Sequence, residues 1–193
     1  MKRTAIFLFS IALMMAASGC GKSNGAKTAD NSTQTAKAGA ANVSQVVSVE
    51  QRQDKKVPLF SWTDESGKKV TIDEFAQGGG VLVNFWATWC GPCKKEIPDL
   101  VELDKAYRTQ GVRILGISID RDGDVMSTVS NFVNASSIKY PVVIDNGELE
   151  KAFGGIRGIP TTFFVDKNGM ITKRMIGLQS REAFAQAMDA VKP

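Results

Sequence analysis

The sequence predicts an α/β domain in which a central mixed β-sheet is flanked by helices. Residues 81–86 form a nearly continuous apolar run, which is typical of a strand covered on both faces. Apolar residues then recur at helical spacing as far as Tyr107, and residues 112–119 form a second buried strand. A strand, a helix and a further strand of this kind form a parallel β-α-β unit, to which flanking hairpin patterns add antiparallel strands.

The other elements are predicted from shorter patterns. Before the unit, two apolar runs flank the turn at residues 64–67, which indicates an added hairpin. After the unit, the predicted elements are a helix over 124–135, a strand over 140–144, a helix over 148–153, a hairpin of strands 161–165 and 170–176, and a helix to residue 191. Ser180 is the expected N-cap of that last helix.

Composition excludes several functional classes. The chain has 193 residues and a formal net charge of +4, and it contains no histidine. Beyond the first twenty residues, 22 basic residues face 20 acidic ones, so we expect no nucleic-acid partner. Without histidine, the Cys-His and Ser-His nucleophile pairs are excluded, together with the commonest metal ligand.

The N-terminus has the three parts of a secretory signal. Two basic residues are followed by an apolar run over 5–17, which is too short to span a membrane comfortably, and then by Ser-Gly-Cys ending at Cys20. This ending resembles the bacterial lipoprotein box, although Ala17 stands where Leu is commonest. The resemblance implies that residues 1–20 are a lipoprotein-type signal and that Cys20 carries lipid. A plain signal peptide or an uncleaved anchor is the alternative.

Residues 21–54 are predicted to be a flexible low-complexity tether, and residues 55–193 the folded domain. The tether is rich in Ala, Ser, Thr, Asn, Gln, Gly and Lys and has no aromatic residue, so it has little apolar surface to bury. Thirty residues of flexible chain reach about 30 Å. Such a tether lifts a domain away from a membrane.

Cys90 and Cys93 are the candidate catalytic residues. They lie where the first core strand turns into its helix, and the free N–H groups of a helix N-terminus stabilise a thiolate. The spacing allows Cys93 to resolve a mixed disulfide formed on Cys90. A zinc site is excluded because it needs about four ligands, whereas the mature chain offers two spare cysteines and no histidine. A purely structural disulfide is disfavoured because so tight a loop stabilises the fold little. We therefore expect no metal and no cofactor other than the dithiol itself.

Two segments, VNFWATWCGPCKKEIPDL and GIPTTFFVDKNG, resemble the membrane-tethered thioredoxin-like proteins of the TlpA/ResA type over about residues 55–192. The resemblance implies a thioredoxin-like fold with an added N-terminal β-hairpin and a helical insertion in the central β-α-β region. It also implies that Cys90 is the exposed nucleophile, Cys93 the buried resolving cysteine and Pro98 a helix-kinking proline. The substrate groove implied by the same comparison consists of Trp89, Gly91, Pro92, Ile159, the cis-proline Pro160 and Gly177. A trans proline opening an edge strand is the alternative at position 160.

One position departs from cytosolic thioredoxin. Thioredoxin has a buried Asp in the first core strand that shuttles the proton of the resolving cysteine, and the matching residue here is Asn84, which does not titrate. Asp120, directly after the second strand, is the candidate proton relay, with an ordinary turn carboxylate as the alternative.

The sequence as a whole predicts an extracytoplasmic, membrane-anchored thiol-disulfide oxidoreductase facing the periplasm. The resemblance implies that it reduces disulfides in exported proteins, with apocytochrome c among the candidate clients, and is rereduced by a membrane electron donor of the DsbD or CcdA type. Two alternatives remain open. One is a redox-responsive client-binding protein without turnover, and the other is a peroxidase on the same fold, whose peroxidatic cysteine is expected elsewhere in the first helix.

Overall fold

The computed structural model describes residues 42–193, in which eight strands form one mixed sheet. The strands are β1 (Val43–Glu50), β2 (Leu59–Thr63), β3 (Lys69–Thr71), β4 (Gly80–Trp86), β5 (Val112–Ser118), β6 (Val142–Ile144), β7 (Thr161–Val165) and β8 (Ile171–Ile176). The helices are α1 (Ile72–Ala76), α2 (Gly91–Tyr107), α3 (Val125–Ala135), α4 (Glu148–Ala152) and α5 (Arg181–Asp189). The strand order across the sheet is β3-β2-β1-β6-β5-β4-β7-β8.

The middle of the sheet is the predicted parallel unit. Strand β4 runs parallel to β5 and antiparallel to β7, and all of its residues are buried, as a strand covered on both faces requires. The added hairpin is confirmed as the antiparallel pair β2 and β3, and the C-terminal hairpin as β7 and β8. Ser180 caps α5 as expected, because its hydroxyl accepts a hydrogen bond from the backbone N–H of Ala183 at 3.2 Å.

The expected boundary of the tether at residue 54 is wrong, because Val43–Glu50 forms strand β1 inside the sheet. This strand lies parallel to β6 and antiparallel to β2. Its pairing with β2 shifts between Val46 and Ser48, and the irregularity leaves Val47 55% exposed. Such a bulge breaks the alternation of apolar and polar residues, which is why the sequence pattern did not indicate a strand. The part of the predicted tether before residue 42 lies outside the described residues.

Helices cover both faces of the sheet, and the sheet separates the core into two layers. On one face α2, α3 and α5 pack over Leu82 and Trp86 of β4. On the other face α1 and α4 pack with the hairpin over Val81, Val83 and Phe85. Because successive strand residues point to opposite faces, β4 contributes to both layers, and its C-terminal end is buried on both sides. No helix within residues 42–193 is long and apolar enough to cross a membrane.

Candidate active site

The two cysteines meet at the junction between β4 and α2. Cys90 is the N-cap of α2, and its Sγ accepts a hydrogen bond from the backbone N–H of Cys93 at 3.2 Å. The two residues are joined by a disulfide, with their Cα atoms 5.3 Å apart. The predicted placement of the dithiol at a helix N-terminus is confirmed, and with it the supply of N–H groups that favour a thiolate on Cys90.

The two cysteines differ slightly in exposure, and Cys90 is less exposed than expected. Cys90 is only 4% exposed and Cys93 is completely buried. The expectation of an exposed Cys90 is therefore wrong for this disulfide form. One reason is the loop before β7, since the carbonyl oxygen of Ile159 lies 3.8 Å from Cys90 Sγ.

The loop opposite the dithiol contains the predicted cis-proline. The peptide bond between Ile159 and Pro160 is cis, so the trans alternative is excluded. Gly177, at the end of β8, donates its backbone N–H to the carbonyl of Pro160 at 2.8 Å. The φ angle of Gly177 is +81°, a conformation that favours glycine. The structure thus brings Ile159, Pro160 and Gly177 together beside Cys90.

Exposed apolar side chains lie near the dithiol. Trp89 is 66% exposed, and Ile176 and Leu178, on either side of Gly177, are 62% and 48% exposed. These are three of the four large hydrophobic side chains exposed within residues 42–193. Gly91 and Pro92 are also exposed, at the first turn of α2. We call residues 176–178 the groove lip.

A buried carboxyl group lies on the same helix as the dithiol. Glu96 is 1% exposed and stands three residues after Cys93, so the two residues lie on the same face of α2. Its Oε1 accepts a hydrogen bond from Asn84 Nδ2 at 2.9 Å, and its Oε2 accepts one from the backbone N–H of Gln179 at 3.4 Å. Burial outweighs both bonds and raises the pKa of Glu96 from its ordinary 4.5 to about 7.

Asn84 connects this carboxyl group to the sheet. It is completely buried on β4, and its Nδ2 also donates to the hydroxyl of Thr162 on β7 at 2.9 Å. Its Oδ1 has no hydrogen-bond partner within the described part of the chain. Asn84 therefore places an amide in contact with the buried carboxyl group of Glu96, and the amide oxygen remains without a hydrogen-bond partner in the described residues.

Asp120 has a different set of contacts from those expected of a proton relay. Its carboxylate accepts hydrogen bonds from the hydroxyl of Thr88 at 2.6 Å, from the backbone N–H of Thr88 at 3.0 Å and from the hydroxyl of Ser118 at 2.8 Å. These bonds brace the segment just before Cys90 against the end of β5. The contacts of Asp120 thus favour a structural role.

Comparison with known proteins identifies the family. Residues 54–174 match the AhpC/TSA family. The chain is also 38% identical over 139 residues to the thiol-disulfide oxidoreductase ResA of Bacillus thuringiensis strain Al Hakam, covering 72% of this chain and 78% of that protein. The chain belongs to the ResA-type thiol-disulfide oxidoreductases. It is accordingly an enzyme of dithiol exchange, and its likeness to the TlpA/ResA type is confirmed.

Solved structures of ResA-like proteins share the fold. A thiol:disulfide interchange protein of the thioredoxin family from Chlorobium tepidum TLS is 32% identical, with a TM-score of 0.64 over 73% of this chain and 98% of that one. The exposed lipoprotein thioredoxin of Streptococcus pneumoniae is 26% identical, with a TM-score of 0.56 over 68% of this chain and 98% of that one. The predicted thioredoxin-like fold is confirmed.

Three features of this ResA-type site were missed from the sequence. Glu96 and the exposed pair Ile176 and Leu178 were not singled out, although a signal existed for each. Glu96 is a charged residue on the apolar stripe of α2, next to Ile97. The pair flanks a predicted groove glycine. Cys20, the predicted lipidation site, lies outside the described residues, and within 42–193 no cluster of three or more His, Cys, Asp or Glu side chains is suited to a metal ion.

Proposed function

We propose that this ResA-type enzyme reduces disulfides in exported proteins, with Cys90 as nucleophile and Cys93 as resolving cysteine. The observation that carries the proposal is the unequal burial of the two cysteines at the start of α2. Cys90 is 4% exposed, whereas Cys93 is completely buried. A client disulfide approaching from solvent therefore meets Cys90 first.

The exchange proceeds in two balanced steps. The Cys90 thiolate attacks one sulfur of a client disulfide, forming a mixed disulfide and releasing the other client sulfur as a thiolate. The Cys93 thiolate then attacks Cys90 Sγ, which breaks the mixed disulfide and releases the second client thiolate. The client gains two electrons, and the enzyme is left with the Cys90–Cys93 disulfide.

Glu96 is the proposed proton acceptor for the resolving step. Cys93 must lose its thiol proton before it can attack, and it is completely buried, so bulk water does not reach it. Glu96 lies one helical turn away, and its pKa of about 7 allows it to accept and return a proton near neutral pH. Asp120 was the candidate from sequence, but its hydrogen bonds to Thr88 and Ser118 support a bracing role instead.

The groove is proposed to hold an extended segment of the client. Backbone groups beside Ile159 offer main-chain hydrogen bonds, which bind a strand without demanding a particular sequence. The exposed side chains of Trp89 and of the groove lip are proposed to add apolar contact with the client, together with Gly91, Pro92 and Pro160. Apocytochrome c is one exported client that we propose, on the resemblance to the TlpA/ResA type.

The enzyme is proposed to act outside the cytoplasm, anchored by lipid on Cys20. The signal-like N-terminus supports this placement, and so does the similarity to a pneumococcal protein that is itself an exposed lipoprotein thioredoxin. A reductase in an oxidising compartment needs a continuous supply of electrons, for which we propose a membrane donor of the DsbD or CcdA type.

The anchoring proposal is tested by Cys20→Ala. We expect the protein to appear in the soluble fraction or to remain as an unprocessed precursor. Membrane recovery of a correctly cleaved Cys20→Ala product would contradict lipidation.

The enzymatic proposal is tested by insulin reduction together with thiol titration. A reductase should release many equivalents of insulin thiol per enzyme while reductant is supplied, whereas a client-binding protein without turnover should release at most two, the thiols of a single disulfide. Failure to exceed two equivalents would favour the binding alternative.

A further inference from the structure

The side chain of Gln179 makes two hydrogen bonds within the connection between β8 and α5. Nε2 of Gln179 donates hydrogen bonds to the carbonyl of Gly177 at 2.9 Å and to the carbonyl of Ile176 at 3.3 Å. Both carbonyls belong to the groove lip, whose own side chains point into solvent. Gln179 therefore fixes the backbone from which Ile176 and Leu178 project.

The same residue contacts the buried acid. The backbone N–H of Gln179 donates to Oε2 of Glu96 at 3.4 Å, while the backbone N–H of Gly177 donates to Pro160. Hydrogen bonds thus run without interruption from the cis-proline loop, through the groove lip and Gln179, to Glu96. The groove and the buried carboxyl group are connected through a single short segment.

The bond between Gln179 and Glu96 depends on the charge of the carboxyl group. A hydrogen bond to an ionised acceptor is roughly twice as strong as one between neutral groups. When Glu96 is ionised, both of its oxygens accept, from Gln179 and from Asn84. When Glu96 is protonated, the bond from Gln179 becomes a neutral one, and the spare Oδ1 of Asn84 is available to accept the new proton after rotation of its amide.

Resting on the function proposed above, we propose that Gln179 is a positioning residue that couples the ionisation of Glu96 to the placement of the groove lip. Ionised Glu96 holds Gln179, and through it the lip, in the position seen here. By thermodynamic reciprocity, a client that requires the lip in this position favours ionised Glu96. Client binding thereby prepares the base at the stage when Cys93 must lose its proton.

Several groups around Glu96 influence its titration. Asp99 on the same helix raises the pKa of Glu96, whereas the hydrogen bonds from Asn84 on β4 and Gln179 on the connection lower it. Tyr140, just before β6, is buried, and the negative charge of Glu96 contributes to raising the pKa of its phenol. Of these groups, Gln179 alone directly follows the groove lip and bonds to its carbonyls.

The test is Gln179→Met, which keeps the length of the side chain and removes both of its donors. Gln110→Met is the matched control, because Gln110 makes the same kind of bond, from Nε2 to the carbonyl of Ala106, on the exposed end of α2. In the oxidised full chain, carbon NMR of the Glu96 carboxyl group reports its titration directly, without contribution from the thiols. The backbone amide of Gln179 should titrate with the same midpoint and should stop doing so in Glu96→Gln.

We expect Gln179→Met to raise the titration midpoint of Glu96 by about half a pH unit and Gln110→Met to leave it unchanged. The KM for a protein client should rise several-fold in Gln179→Met, with a smaller change in kcat. An identical midpoint in Gln179→Met and the parent would overturn the proposal, as would an equal shift in Gln110→Met. The NMR titration uses the disulfide form and needs no turnover, so loss of the proposed enzymatic function would be seen separately in the insulin assay.

Discussion

Replacing Glu96 by Gln should remove most of a strong pH dependence of stability. The carboxyl group is 1% exposed, so its ionised form is poorly solvated in the folded protein. Gln is a suitable replacement because its Oε1 can accept from the backbone of Gln179 while its Nε2 can donate to the spare Oδ1 of Asn84 after rotation of the Asn84 amide. The variant therefore removes the titration and leaves a polar side chain of nearly the same shape in the buried site.

The size of the effect follows from the pKa of Glu96, which is about 7 in the folded protein against an ordinary 4.5. Between these values the folded state binds a proton that the unfolded state has lost, so stability falls as pH rises. The favourable contribution is complete below about pH 4.5 and is lost by the time pH has passed the folded pKa of about 7. At 1.36 kcal/mol per unit, the difference is about 3 kcal/mol.

The assay is urea unfolding of the oxidised protein at pH 4.5, 6 and 8, values chosen to bracket roughly the two pKa values. The free energy of unfolding of the parent should fall relative to that of Glu96→Gln by about 3 kcal/mol across this range. Glu102→Gln is the control, because Glu102 is an exposed carboxylate on the same helix, and its pKa is lowered by hydrogen bonding to Lys105. Parallel curves for the parent and Glu96→Gln would refute the elevated pKa and its role in proton transfer.

Three further changes test other parts of the site. Cys90→Ser should abolish insulin reduction without changing the circular dichroism spectrum, and retained activity would exclude the dithiol mechanism. Asn84→Asp places a second carboxyl group beside Glu96 and should alter the pH–rate profile of insulin reduction over roughly pH 5 to 9; superimposed profiles would mean that position 84 is not coupled to the dithiol. Thr88→Val removes the hydroxyl that donates to Asp120 and should lower the free energy of unfolding by about 1.5 kcal/mol, whereas unchanged stability would argue against a bracing role.

The fold was largely predictable because its central elements have strong local patterns. Strand β4 is apolar throughout, and α2 begins at a recognisable cysteine and proline motif. Strand β1 was missed because its bulge places Val47 in solvent and interrupts the period of two. Its place in the sheet depends on long-range pairing with β6, which no local pattern records.

The site was predictable where its residues belong to short contiguous sequence motifs. Cys90, Cys93 and the cis-proline belong to contiguous motifs, and the structure brings them together as expected. The candidate proton relay was assigned to Asp120 because that residue follows a buried strand, whereas Glu96 was overlooked on a helix that also carries exposed charged residues. Both carboxyl groups are buried, so their contacts separate the two interpretations. Asp120 accepts hydrogen bonds from Thr88 and Ser118, whereas the pKa of Glu96 is raised mainly by its removal from water, a consequence of tertiary packing.

The central claim is that Cys90 attacks the client and Cys93 resolves the mixed disulfide, and trapping tests it most directly. Cys93→Ala expressed in its native cell should accumulate mixed disulfides, which non-reducing electrophoresis and mass spectrometry can locate on Cys90. We expect exported proteins to be captured on Cys90, and no such adducts to form in the double variant Cys90→Ala with Cys93→Ala. Adducts on Cys93 in a Cys90→Ala protein, with none on Cys90 in Cys93→Ala, would contradict the assignment of the two cysteines.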